Sequence, residues 1–247
     1  MIIINSKQNQ LIKYALSIKE KKGIVKHNEC LVESEKLVFD LVNSNHKVSA
    51  ILCSENKVEK FSYILNQFKG KIYYISEQIS KHLADSVTPS GIFAFVGVPN
   101  NPTFDKQSNY LVLDNLQDPT NVGALIRSAK AFGYNNICIL GGFFPYTYKV
   151  IRSSMGYVFD VNIINMTVEQ LKSLNLPIYV GDMKGKDVSL IDKPKSPFAV
   201  AVGNEGQGIS QQLFDICSNV VKIPMQNGVE SLNASVSGGI LMYNLLK

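Results

Sequence analysis

Arginine is nearly missing from this 247-residue chain, with Arg127 and Arg152 standing against twenty-three lysines. A sequence that uses lysine wherever a cation serves charge or solubility marks its two arginines as places that need a planar, permanently charged fork of donors, suited to two-point contact with phosphate or carboxylate. Histidine is also scarce: His27, His46 and His82 all lie before residue 108, so catalysis in the second half must proceed without it. Cys30, Cys53, Cys138 and Cys217 are far apart and form no Cys-x-x-Cys pair. That spacing argues against a zinc site or a thioredoxin-type motif and for free thiols, and no metal is expected. No run of residues has the apolar length of a membrane span, and Met1 to Lys7 lack the pattern of a secretory signal, so a cytoplasmic protein without membrane attachment is expected.

Several signatures of nucleotide and hydrolase chemistry are missing too. There is no Gly-x-x-x-x-Gly-Lys-Ser/Thr and no Gly-x-Gly-x-x-Gly after a strand, which leaves P-loop NTPases and standard dinucleotide sites without support. There is no Gly-x-Ser-x-Gly elbow and no His-Glu-x-x-His helix either, which removes the main support for hydrolases and metalloproteases.

What is present is a chain with 45% hydrophobic residues and a formal charge of +5. Residues 1 to 107 hold 14 lysines against 10 acids, a net +4, whereas residues 108 to 247 hold 11 lysines and arginines against 10 acids, a net +1. The first half is the better candidate for a polyanion, although a lysine excess of this size also describes an ordinary solvated surface. Between the halves, residues 99–108 are rich in proline and asparagine and read as a linker, giving domains over 1–98 and 109–247.

The first domain alternates helical patterns (8–22, 35–43, 58–68) with short β-rich runs at Cys30–Val32, Val48–Cys53, Ile72–Ile75 and Ile92–Val96, a small α/β domain. In the second, apolar runs at 110–114, 136–140, 158–161, 177–180, 198–202 and 220–223 are mostly followed by helical segments. Such runs predict a mostly parallel sheet with helices on both faces, and ligands at the carboxyl ends of its strands. Unusual polar and glycine content occurs at four such ends: Asn115–Arg127, Gly181–Gly185, Gly203–Ser210 and Pro224–Asn233.

Each of these stretches has a bland role and a functional one. Gly203 to Gly208 is a tight strand-to-helix turn, or a loop whose glycines let backbone approach a ligand, with Asn204 and Glu205 offering polar contacts. Ser231 or Asn233 can cap the following apolar helix, on which Leu232, Val236, Ile240 and Tyr243 share a face. Gly238-Gly239 in that helix predicts close packing. Arg127 either pairs with Asp114 or Asp118 or binds an anion with the help of a helix start at Asn121-Val122-Gly123. Arg152 with Ser153 and Ser154 could hold a second phosphate, and two such sites suit a nucleic-acid backbone.

In this order, Asp118-Pro119-Thr120-Asn121-Val122-Gly123 through Arg127-Ser128-Ala129 and Phe132-Gly133, then Val202-Gly203-Asn204-Glu205-Gly206-Gln207-Gly208-Ile209, then Ile223-Pro224-Met225 with Gly228 and Glu230-Ser231-Leu232-Asn233, resemble three signature motifs. They are those of the SpoU (TrmH) family of S-adenosylmethionine-dependent RNA 2′-O-ribose methyltransferases, of the knotted SPOUT class. The first domain resembles that family's L30e-like substrate-binding module through Leu31-Val32-Glu33-Ser34-Glu35-Lys36 and Asp85-Ser86-Val87-Thr88-Pro89-Ser90-Gly91-Ile92. It departs from the family at Ser34, usually glycine, and Ser90, commonly glutamine.

The resemblance implies a small L30e-like α/β domain followed by a SPOUT α/β domain with a C-terminal trefoil knot, and a homodimer formed around the knot. It implies S-adenosylmethionine held around Val180, Gly181, Asp182, Met183, Gly203, Asn204, Gly206, Ile223, Met225, Ser231, Leu232 and Asn233. It implies a reaction centre at Arg127, Asn121, Glu205, Ser231 and Asn233, and RNA contacts through Arg127, Arg152 and Ser153. Large-subunit (23S) rRNA is the first choice of substrate and tRNA the second, with a non-catalytic RNA-binding protein as the competing class.

Overall fold

The computed structural model describes residues 2–86, 88–99, 103–195 and 197–246. It contains two compact units, Met1–Asn100 with Tyr146–Arg152, and Asn101–Pro145 with Ser153–Lys247.

The first unit is built on a mixed five-stranded sheet of order β1-β4-β3-β5-β2, comprising β1 (Ile3–Ile4), β2 (Glu29–Glu33), β3 (Val48–Ser54), β4 (Lys71–Ile75) and β5 (Ile92–Gly97). β5 runs antiparallel to both β2 and β3, while β3 and β1 flank β4 in parallel. The short apolar runs became strands because their side chains are buried in succession, as in β5, where Ile92 to Val96 are all buried. Ile12, Ala15 and Ile18 of α1 (Gln10–Ser17) and its cap pack on Leu31, Leu52, Phe93 and Phe95 of the sheet.

The helical pattern over 8–22 divides into α1 and α2 (Lys21–His27). The Leu31 N–H takes the Ile18 carbonyl at 3.1 Å, a group that a continuing helix would have used. α2 folds back so closely that a Cβ on Gly23 would lie 2.0 Å from the Ser17 carbonyl oxygen. α3 (Glu35–Val42) is capped by Ser34, and α5 (Glu77–Leu83) follows the single turn α4 (Ser62–Leu65), all that forms within the expected 58–68 helix besides a preceding 3-10 turn at Glu55–Lys57.

The second unit carries a six-stranded, wholly parallel sheet of order β11-β9-β10-β6-β7-β8. Its strands are β6 (Tyr110–Asp114), β7 (Asn136–Leu140), β8 (Asn162–Asn165), β9 (Ile178–Asp187), β10 (Ala199–Val202) and β11 (Asn219–Lys222). Helices α6 (Pro119–Ala131), α8 (Val168–Lys172), α9 (Gln211–Phe214) and α10 (Ala234–Leu246) connect or follow them, and α7 (Tyr148–Ser153) lies between β7 and β8 in sequence. The strand expected at 158–161 is a 3-10 turn, Tyr157–Phe159, entered through Gly156 at φ 81°; β8 begins after it, with the Asn162 N–H on the Asn135 carbonyl. Val158 and Phe159 are apolar because the turn buries them, so a strand-like composition misled the periodicity.

The chain steps outward from β6 through β7 to β8 and then crosses to the other side, so β6 and its neighbour β10 flank a switch point. Of the linker, residues 100–102 lie outside the described residues, as does Val87 of the quoted substrate-module motif. The linker residues from Thr103 on belong to the second unit. There the Asp105 N–H donates to Asn136 Oδ1 at 2.9 Å, and Asn136 Nδ2 returns a bond to the Asp105 carbonyl.

α10 buries Gly238, Leu241, Met242 and Leu245 and leaves Val236 and Tyr243 half exposed. The close approach expected at its glycine pair belongs to Gly238 alone. A Cβ there would meet Leu125 and Val202 side chains at 2.4 and 2.8 Å, whereas one on Gly239 would find only Ser128 Oγ at 3.8 Å.

Candidate active site

At the carboxyl end of β6, Asp114 is buried, and its carboxylate accepts the Ser210 N–H at 2.6 Å and Asn115 Nδ2 at 2.8 Å. This ties the loop leaving β6 to the loop leaving β10. Four residues on, Asp118 caps α6 by accepting the Thr120 N–H at 2.8 Å, with Pro119 at the first helical position, where its missing N–H costs nothing. The cap fixes Asn121 in the first turn, buried and directed at the β10 loop.

Three residues far apart in sequence meet there. Asn233 Nδ2 donates to Asn121 Oδ1 at 2.9 Å, and Asn121 Nδ2 donates to Glu205 Oε1 at 3.0 Å. Glu205 also accepts the Asp118 and Gln117 N–H groups at 3.3 and 3.4 Å, at the positive end of α6. Burial pushes the Glu205 carboxyl upward, but the Asn121 amide and these main-chain donors outweigh it and hold the group below its ordinary value. Asn233 caps α10, its Oδ1 accepting the Ser235 N–H at 2.9 Å, while its amide nitrogen reaches Asn121.

Beside this chain of amides lies a cleft of about 650 Å³. Gly181, Asp182 and Met183 of β9 form one wall, and the hairpin from Gly203 to Ile209 forms the second. Ile223, Met225, Ser231, Leu232 and Asn233 close it from the segment after β11, with Ser237 and Leu241 of α10. Asn204 organises the hairpin rather than reaching out of it. Its N–H and carbonyl exchange hydrogen bonds with Gly208, its Oδ1 accepts the Gly206 and Gln207 N–H groups, and its Nδ2 donates to the Asn115 carbonyl at 2.9 Å. Gly203 must be glycine for steric reasons, since its Cβ would fall 2.3 Å from the Gly208 carbonyl carbon.

All but one of the residues expected around a cofactor line this cleft; Val180 is fully buried in β9 and acts as core. Ser231 lines it, and its hydroxyl makes no hydrogen bond among the described residues. Arg127 is not brought to the cleft. It is exposed on α6, six residues beyond Asn121, which on a helix is about 9 Å along the axis and about a third of a turn around it. It forms no ion pair among the described residues, because Asp114 and Asp118 are engaged elsewhere. The Ser153 hydroxyl donates to the Pro119 carbonyl at 3.1 Å and packs on Gly123, so it supports the start of α6. Arg152 lies on α7 in the first unit.

The lining residues that the sequence did not mark include Ser237 and Leu241, one helical turn apart on α10, and Lys222, whereas Glu230 belongs to the third motif. The spacing of the first two is a usable signal; Lys222 follows only from how the strand ends converge. Among the described residues no group of three or more His, Cys, Asp or Glu could hold a metal ion, and no helix is long and apolar enough to cross a membrane.

A cleft of this size, walled by main chain and by thioether and aliphatic side chains with the Asp182 and Glu230 carboxylates at hand, is built for a small organic ligand. Its place at the carboxyl ends of parallel strands, across the switch point, is that of the ligand site of an α/β enzyme. Residues 108–243 match the SpoU rRNA methylase family, and residues 9–94 match the MRM3-like substrate binding domain. The chain is 29% identical to the 23S rRNA (guanosine(2553)-2′-O)-methyltransferase RlmP of Bacillus subtilis, with 98% of each covered. Its fold is similar to the crystal structure of an RNA 2′-O ribose methyltransferase (TM-score 0.87, 26% identity, 99% of this chain and 98% of that one). It is also similar to that of an S-adenosylmethionine-bound rRNA methyltransferase from Sinorhizobium meliloti (TM-score 0.86, 22% identity, 99% and 97%). The protein belongs to the SpoU rRNA methylase family. It is an RNA 2′-O-methyltransferase whose methyl donor is S-adenosylmethionine.

Proposed function

We propose that the protein methylates a ribose 2′-hydroxyl in 23S rRNA and that the reaction centre is the chain of amides from Asn233 through Asn121 to Glu205 beside the cleft. The observation that carries this reading is that these three side chains, from three separate motifs, hydrogen-bond to one another beside a cleft that Glu205 and Asn233 line. The choice of 23S rRNA rests on the likeness to RlmP along nearly the whole chain, and tRNA is the alternative outcome of the test.

Gly181, Asp182, Met183, Gly203, Ile223, Met225 and Leu232 would hold S-adenosylmethionine, with Asn204 and Gly206 shaping the hairpin wall. When bound, it supplies an electrophilic methyl group on a sulfonium. The chain's own contribution is alignment and charge. Glu205, kept ionised, fixes the Asn121 amide, and Asn121 fixes Asn233. Ser231 retains a hydroxyl for the substrate ribose. Alignment of this kind can lower the barrier by several kcal/mol. Arg127 would grip the phosphate beside the target ribose and stabilise negative charge developing on O2′, because a guanidinium is a poor base.

The enzyme would act as a homodimer. What supports this is an open groove between α6 and α10 lined by Ala124, Ser128, Val236, Ile240 and Tyr243, an apolar surface on the helix that carries Arg127. The family's trefoil knot and the role of the first unit as the RNA-binding domain belong to the same proposal, supported by likeness along the whole chain. Four cysteines without disulfide partners suit the reducing cytoplasm, where ribosomal RNA is found. Transfer of labelled methyl groups to RNA, followed by nuclease digestion and mapping of ribose methylation in rRNA from a deletion strain, tests the reading. One missing 2′-O-methyl nucleotide in 23S rRNA is expected; loss of a tRNA mark instead, or of none, refutes it.

A further inference from the structure

The segment Tyr146–Arg152 groups with the first unit although it lies between two strands of the second in sequence. Its anchor is Tyr148, 4% exposed, whose hydroxyl donates to Oε2 of Glu33, itself 6% exposed. The other Glu33 oxygen accepts the Ser90 N–H at 2.8 Å. Lys57 Nζ donates to the Pro89 and Ser90 carbonyls at 2.9 Å each, which fixes that loop in turn. Glu33 is thus a buried hub with both oxygens in use.

Two cations stand over the Tyr148 ring: Lys19 Nζ at 4.5 Å from its centre and the Arg152 guanidinium carbon at 6.0 Å. Lys19 is already committed, because its amine holds the Asp85 carboxylate at 2.6 Å and the Leu83 carbonyl at 2.8 Å. Arg152 is exposed and makes no hydrogen bond or ion pair among the described residues, so the Tyr148 ring, at cation–π reach, is its one contact there and its donors stay available. A charged fork fixed in place loses little freedom when it takes a two-point ligand.

We infer that Tyr148, locked by Glu33, is a positioning residue that presents Arg152 to a phosphate of the RNA backbone. This rests on the reading that the substrate is RNA. The neighbourhood favours a phosphodiester: Asp85 is neutralised by Lys19, Glu33 is turned inward to Tyr148 and Ser90, and the exposed group is a cation.

The test measures binding of 23S rRNA transcripts to the full-length protein over a range of salt, with S-adenosylmethionine affinity and methyl transfer by the wild type measured alongside. Arg152→Gln should weaken RNA binding on the order of tenfold and reduce the salt slope by about one. Tyr148→Leu should also weaken binding, and the double variant should lose no more than Arg152→Gln alone. Tyr148→Phe keeps the ring and should retain most of the affinity while melting earlier. S-adenosylmethionine affinity should not move in any of them. Wild-type RNA affinity and slope in Tyr148→Leu, or losses that multiply in the double variant, overturn the inference. If Tyr148→Leu does not fold, Arg152→Lys decides: it keeps the charge and loses the stacked fork, so the slope should stay while affinity falls, and unchanged affinity overturns the inference. A wild-type protein that neither binds nor methylates RNA would sink the proposed function itself.

Discussion

Gly203→Ala is a sharp probe of how the cleft is built. Gly203 sits where β10 ends and the hairpin begins, and an added Cβ would lie 2.3 Å from both the carbonyl carbon and oxygen of Gly208 and 2.4 Å from the Ile209 nitrogen. Ordinary contacts between non-bonded carbons are about 3.5–4.0 Å, so the facing strand of the hairpin would retreat by more than about 1 Å. All three obstructing atoms are backbone, so no rotamer change can absorb the clash. Overpacking of this kind costs about 1–3 kcal/mol. The retreat also strains the pair of hydrogen bonds between Asn204 and Gly208, both 2.9 Å, each worth about 1 kcal/mol. A net loss of about 2–4 kcal/mol corresponds to a drop in Tm of roughly 5–15 °C for a chain of this size. Binding of S-adenosylmethionine, followed by calorimetry, should be lost, because the displaced hairpin is a wall of the cleft. Gly206→Ala is the matched steric control: its Cβ would meet only Asn204 Oδ1 at 3.7 Å, and Tm should stay near wild type. If Gly203→Ala melted like Gly206→Ala, the steric account of this loop would be wrong.

Other expectations follow from single features. Ser34 has φ 146°, a conformation that favours glycine, so Ser34→Gly should relieve about 1 kcal/mol and raise Tm by a few degrees; an unchanged or lower Tm would show that the cap on Leu37 outweighs the strain. The Glu205 carboxyl lies below its ordinary value of 4.5, so its stabilising contribution is complete above that pH and disappears as pH falls through the lower folded value. Acid unfolding of Glu205→Gln should therefore be less steep in that window than that of the wild type, and equal slopes would contradict the network. Gly185→Ala would put a Cβ 2.5 Å from the Val221 carbonyl carbon, at the bulge where β11 joins β9, and should weaken S-adenosylmethionine binding by displacing Ile223 and Met225; unchanged affinity would show that β11 gives way without cost to the cleft.

The sequence reveals the second unit more readily than the first because continuous apolar runs separated by helices have few other solutions. Polar and glycine-rich strand ends then mark the cleft, since strands of a parallel sheet all release their loops on one side. Periodicity does less well where tertiary contacts decide. It reads 158–161 as a strand because burial in a 3-10 turn leaves the same apolar composition, and it reads 8–22 as one helix because nothing local announces that Leu31 will claim the Ile18 carbonyl. Ser237 and Leu241 at the cleft were within reach of helical spacing. That Asn121, Asn233 and Glu205 form one chain of bonds, and that Arg127 stands apart from it, depends on the directions in which side chains leave α6, which the motifs do not encode.

The hydrogen bond between Glu33 and Tyr148 joins residues 115 positions apart in sequence. During synthesis, the first unit therefore cannot complete its own interior when its sheet is finished at Gly97. Until the ribosome has delivered Tyr148, Glu33 is a carboxylate without its second partner, which must stay hydrated. A fragment ending near residue 99 would inherit that defect permanently, and it should fold less stably than the same residues do within the whole chain. The order of domains along the sequence is thus not the order in which they can mature, because the first waits for a helix that arrives after the second has begun.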